Sequence, residues 1–177
     1  MIQPSQDFLT RYGDAAHCLR LLERSRRELL HLAESLTDEQ FFTRRLPEQW
    51  SPAEELEHVA LVEESGGKVI RMLRKVAGGQ MELPPAAPPG QTRPDGRPLA
   101  PSPVEPKGGL SRQEVMDKLR AVRERLLLEV AESGGGIARP PTYRHPFFGD
   151  LTALGWLQTL VYNEQHHLNQ IKDRLSR

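Results

Sequence analysis

The sequence predicts an all-α fold, a four-helix bundle with a long Pro/Gly-rich connection between its second and third helices. Three observations carry that prediction. Apolar residues recur at three-, four- and seven-residue spacing in four separate stretches, and no stretch sustains two-residue alternation. Residues 78–110 hold nine prolines and six glycines, too many for a helix or an interior strand. The length of 177 residues suits one domain, for which roughly 150 is typical, so residues 1–177 read as a single unit with 78–110 as its internal connection.

The first helix covers 14–36, with Leu19, Leu22, Leu29, Leu32 and Leu36 on its apolar stripe. Thr37 and Asp38 then cap a short helical turn that Pro47 ends ahead of Trp50. The second long helix begins after Ser51, with Pro52 at its first position and Glu54 and Glu55 against the positive end of the dipole, and runs to about Ala77. Gly66 and Gly67 weaken its middle. The connection that follows is long enough to serve as an inert linker, a cover over a site, or a crossover between non-adjacent helices. Ser111 and Glu114 form a capping box for the third helix, whose stripe of Val115, Leu119, Val122, Leu126 and Val130 contains no acid; Gly134, Gly135 and Gly136 end it. After the turn-rich ARPPTYRHPFFGD, Asp150 is placed to cap a fourth helix reaching nearly to Arg177. Tyr143, His145, Phe147 and Phe148 in that turn either line a pocket mouth or pack over the bundle's end.

Lys plus Arg equals Asp plus Glu at 24 each, which leaves no net field toward nucleic acid or anionic lipid. No stretch approaches the ~20 apolar residues of a membrane span. Asp7, Arg11 and Asp14 stand where a signal peptide would be apolar. Cys18 is the single cysteine, so neither an internal disulfide nor a multi-cysteine zinc cage is available. The expectation is a soluble cytoplasmic protein without nucleic-acid or membrane partners. A cysteine nucleophile finds no support, because His17 and Arg20 do not share the face of Cys18.

Stepping residues by about 100° along each helix shows which polar groups face inward. On the fourth helix Ala153, Leu157, Leu160, Val161, Leu168, Ile171 and Leu175 make the apolar face, with Glu164 in its middle. His167 sits on one shoulder with Asn163 and Gln170 beyond it, and His166 points to the opposite, wet side. On the second, Glu55 and Glu63 fall within an arc of Leu56, Val59, Val62, Ile70 and Leu73, and His58 stands at its edge. An inward carboxylate must be paired, metal-bound or protonated, since burying it alone costs several kcal/mol. The acids therefore either meet arginines of neighbouring helices or join the histidines around a metal. Two imidazoles and an oxygen donor suit zinc, nickel, iron or manganese. Asn163 and His167, at i and i+4, project together toward His58 if the second and fourth helices are neighbours.

The string WSPAEELEH, from Trp50 to His58, resembles the second-helix motif of the DinB family and its YfiT-like members. HPFFGDLTALGWLQTLVYNEQHHLNQI, from His145 to Ile171, is similar to that family's His-Pro-x-Phe-Gly turn followed by a helix bearing His-x-x-x-His-x-x-Gln. The resemblance implies a four-helix bundle, commonly a homodimer, holding one divalent metal on three histidines. It also implies a thiol-dependent transferase or hydrolase-like activity on a small molecule, of the kind seen in bacillithiol and mycothiol transferases. Carried over by position, the ligands fall on His58, Asn163 and His167, with the trailing glutamine at Gln170. Asn163 stands where the family pattern has histidine. Either Asn163 binds metal weakly, a carboxylate such as Glu63 or Glu164 replaces it, or the metal is lost.

A ferritin-like di-iron centre is the rival reading, built on the Glu55/His58 and Glu164/His167 pairs, but the third helix supplies no inward glutamate. Two functional readings follow. One is a metal-assisted enzyme with Glu63 or Glu164 as general base. The other is a non-catalytic bundle that dimerises or binds a small ligand.

Overall fold

The computed structural model describes residues 4–177. A short helix α1 (Gln6–Leu9) and a 3-10 turn precede the long helix α2 (Ala15–Ser35), then α3 (Asp38–Phe42) and α4 (Pro52–Ala77). The connection carries only a 3-10 turn at Ser102–Val104 before α5 (Arg112–Ser133). A hairpin of β1 (Tyr143–His145) and β2 (Gly149–Leu151) leads into α6 (Ala153–Leu175). Capping boxes at Ser51/Glu54 and Ser111/Glu114 start α4 and α5 as their sequences require, each with serine accepting the third amide and glutamate reaching back. α1 and the hairpin were not legible as elements. The cap of α6 is Thr152, which accepts from the Gly155 amide, rather than Asp150, because Asp150 is taken up in β2.

Packing explains the long connection. α4 lies against α5 and α6, and α2 against α6 and α5. Two apolar clusters stack along the bundle. One gathers Leu22, Ile70, Leu73, Leu126, Val130, Leu157 and Leu160; the other gathers Leu29, Leu56, Val59, Val115, Leu119, Leu168 and Ile171. Traced through these clusters, α2 and α6 run one way and α4 and α5 the other. The second and third long helices are therefore neighbours and parallel, so the connection is not a crossover between non-adjacent helices. To start α5 beside the start of α4, the chain must return along a 26-residue helix, about 39 Å at ~1.5 Å per residue. Residues 78–110 cover that distance as an extended strap.

Between the two clusters lies a layer of charge. Arg26 of α2, Glu63 of α4, Arg123 of α5 and Glu164 of α6 meet there, one residue from each long helix. Arg26 donates to Glu63 at 2.6 Å and to both oxygens of Glu164 at 3.1 and 3.0 Å. Arg123 donates to Glu63 at 2.6 Å and Glu164 at 2.8 Å. The remaining guanidinium donors reach the carbonyls of Leu119 and Leu22. Nothing in this quartet is left unpaired, which is the condition under which buried ions are tolerated.

Gly66 and Gly67 sit in unbroken helix, and Gly66 lets α6 approach: a Cβ there would lie 2.8 Å from a methyl of Leu160. Cys18 is fully buried, its thiol facing the Tyr12 carbonyl and pushed up to about 12 by burial, so it is inert at neutral pH. No helix is long and apolar enough to cross a membrane among the described residues.

Candidate functional site

Between the strap, α4, α6 and the hairpin lies a cavity of about 1160 Å³. The strap is latched to the bundle and hairpin at four points. Tyr143 donates to the Pro85 carbonyl at 2.9 Å, and the Gly90 amide to Pro146 at 2.9 Å. His58 donates from Nδ1 to the Val104 carbonyl at 2.7 Å. The amides of Lys107 and Gly108 donate to the carboxylate of Glu57 at 3.1 and 3.0 Å. The connection is thus a cover, not an inert linker.

His58 and His167 come together at one end of the cavity. Their ring centroids are 4.7 Å apart, at 69°. Trp50 closes that end, 4.8 Å from His58 and 6.3 Å from His167. Each imidazole is anchored through Nδ1: His58 by Val104, and His167 by the carboxylate of Glu55, which Arg174 holds from the other side at 2.5 Å. Neither Nε2 has a hydrogen-bond partner among the described residues. Burial, reinforced by His167, pulls His58 down to about 3, so it is neutral and its Nε2 carries a lone pair.

Asn163 lines the same cavity, half-buried, with no side-chain hydrogen bond among the described residues. The three residues matched to the family's ligand positions, His58, Asn163 and His167, therefore border one space. His166 departs from expectation: it faces this cavity rather than water. Its ring stacks on Tyr162 at 5.8 Å, and Gln170 donates to it at 2.9 Å. The strap and hairpin cover the side of α6 that a bare helix would have shown to solvent, and this burial lowers the His166 pKa. Gln170 is accordingly engaged with His166.

Glu63 and Glu164 do not reach the cavity. Both carboxylates are consumed by Arg26 and Arg123, which excludes them as ligands replacing Asn163, as the general base, and, for Glu164, as part of a di-iron pair. Glu55 is the inward acid that holds His167, and Arg174 is its counter-ion. The demand for countercharge opposite Glu63 and Glu164 was the signal that could have drawn Arg26 and Arg123 out of the sequence. Among the described residues no three His, Cys, Asp or Glu side chains gather as a metal cluster.

At the other end His145, Phe147, Phe148 and Trp156 line the cavity, His145 lying 4.8 Å from Trp156 and 5.0 Å from Phe148. They are the pocket's wall as well as the packing of the bundle's end.

A family model for the DinB superfamily matches residues 21–171. The chain belongs to the DinB superfamily. It is 28% identical over 160 residues to the uncharacterized protein YuaE of Bacillus subtilis (strain 168), covering 88% of this chain and 95% of that protein. It is also similar to TT2238, a four-helix bundle protein known from a crystal structure, at 32% identity and a TM-score of 0.68 over 89% of this chain and 98% of that one. As a superfamily member it shares the four-helix bundle, here with the strap lying along it.

Proposed function

We propose that this DinB-superfamily protein binds a divalent transition metal at His58 and His167, with the Asn163 carboxamide as a weak third donor, and acts as a thiol transferase or hydrolase on a small molecule. The observation that carries the reading is the shared anchoring of the two rings. Each imidazole gives its Nδ1 proton to a fixed acceptor, Val104 or Glu55, and keeps Nε2 bare on the cavity side. That is the outer-shell arrangement by which metal-ligating histidines are oriented and made more basic. The donor set fits zinc, nickel, iron or manganese, with neutral oxygen in place of a third imidazole lowering affinity. When bound, such an ion supplies Lewis acidity toward a thiol or water.

The chain's own residues do the rest. Glu55, fixed by Arg174, holds His167 in one tautomer. Trp50 walls off the rings from bulk water, and the strap encloses the substrate. The reading is tested by metal titration of protein purified without an affinity tag, followed calorimetrically and by elemental analysis. One equivalent should bind, His58→Ala and His167→Ala should each abolish it, and Asn163→His should raise affinity at least tenfold. An absence of binding in both the parent protein and Asn163→His would overturn it and leave a metal-free ligand-binding bundle.

A further inference from the structure

We propose that the cavity beneath the strap is a binding site for an organic anion with an apolar, drug-sized body, its charged group held by Arg93 at the end opposite the histidines. The inference deepens the reading of the same cavity and rests on it only for which end of the ligand would react.

Size comes first. About 1160 Å³ is somewhat more than the ~300–1000 Å³ of common small-molecule sites, enough for a drug-sized body. The middle of the cavity is apolar, walled by Val62, Val69 and Leu160, with Leu160 packed closely over Gly66. Phe147, Phe148 and Trp156 then offer aromatic faces to a flat or branched body.

Charge is distributed unevenly along this length. The acids that line the cavity, Glu48, Glu55 and Asp173, lie in segments flanking the histidine end, where Arg45, Arg174 and Arg177 match them in number and Arg174 is paired with Glu55. At the aromatic end the charged lining is Arg93, Arg97 and Arg144. Arg97 and Arg144 have exposed aspartates beside them, at 3.5 and 3.4 Å. Arg93 is different: it is half-buried, and its guanidinium makes no ion pair or hydrogen bond among the described residues. Its position is built, not loose. The Arg93 amide donates to the Arg97 carbonyl at 2.7 Å and the Leu99 amide to Gln91 at 2.8 Å, folding the strap into a tight loop. A Cβ on adjoining Gly90 would fall 2.4 Å from the Phe147 ring, so the strap is seated closely on the hairpin. A guanidinium so placed is satisfied by an incoming carboxylate, sulfonate or phosphate.

His145 adds a neutral donor. Its Nδ1 accepts from the Phe147 amide at 3.1 Å, which puts the ring proton on Nε2. Nε2 has no partner among the described residues, so it is free to donate to an acceptor on the ligand.

The experiment uses two probes with the same rings, anionic 1-anilinonaphthalene-8-sulfonate and neutral N-phenyl-1-naphthylamine, with the full chain in a chelator so that metal plays no part. The chain's two tryptophans, Trp50 and Trp156, both line the cavity, so energy transfer from them reports occupancy. Saturable one-site binding of the sulfonate is expected, weakened about tenfold by Arg93→Ala and largely kept by Arg93→Lys, with the neutral probe changed less than twofold by either. Phe147→Ala should weaken both probes. Non-saturable binding, or an Arg93→Ala effect that is absent or equal for the two probes while circular dichroism is unchanged, would overturn the proposal. Metal binding can fail without altering any of these outcomes.

Discussion

Arg26 grips Glu164 with both arms of its guanidinium, Nε to Oε1 at 3.1 Å and Nη2 to Oε2 at 3.0 Å, across the centre of the bundle. With Glu63 and Arg123 the pair forms a neutral layer in which every long helix takes part. Such a layer adds little net stability, because desolvation offsets most of the attraction, but it ties the four helices together at one level.

Arg26→Met should therefore destabilise the fold by about 3–5 kcal/mol, since it leaves two buried carboxylates facing one guanidinium. Replacing all four residues by apolar ones of similar volume should recover most of that loss. Urea denaturation of the two variants measures both effects. A cost below about 1 kcal/mol for the single change would show that water reaches the layer.

The latch at Glu57 makes a prediction about proteolysis. Arg93 and Arg97 each precede proline, which trypsin resists, whereas Lys107 precedes Gly108 in the two-amide clasp of the Glu57 carboxylate. The 107–108 bond should be cut slowly in the parent protein. In Glu57→Ala it should be cut at least tenfold faster, which corresponds to about 1.4 kcal/mol of easier local opening. Fragment masses after timed digestion report the rate, and equal rates would mean that the latch does not hold the strap.

Acid should weaken the fold through His145. Burial pulls this imidazole down to about 4, while in the unfolded chain it titrates near 6.5. Between those values the folded state binds fewer protons than the unfolded one, so stability falls as pH falls, by up to about 1.4 kcal/mol per pH unit from this ring. His145→Phe should reduce the slope of the urea midpoint between pH 6.5 and 4.5, leaving the share that His58 and His166 contribute. An unchanged slope would place the acid sensitivity elsewhere.

The helices were legible because their signals are local: stripes, serine caps and glycine stops all act within one or two turns. The inward placement of Glu55, Glu63, Glu164, His58 and His167 followed from the same periodicity. What a single helix cannot declare is its partner. Arg26 and Arg123 looked like ordinary charges on their own helices, and only the assembled bundle aims them at Glu63 and Glu164. Likewise His166 lies on a flank of α6 that a wheel assigns to water; the strap, which has no periodicity of its own, turns that flank into a wall. The exposed Leu175 errs the other way, lying beyond the neighbours that would have covered it.

No residue of α2 or α5 borders the cavity, although both helices feed the charged layer behind it. Two of the four long helices are thus a foundation that can vary within the limits of packing without altering the cavity's lining. New ligand preferences can arise by rewriting the proline-rich cover alone, as a locksmith changes the wards and leaves the casing in place.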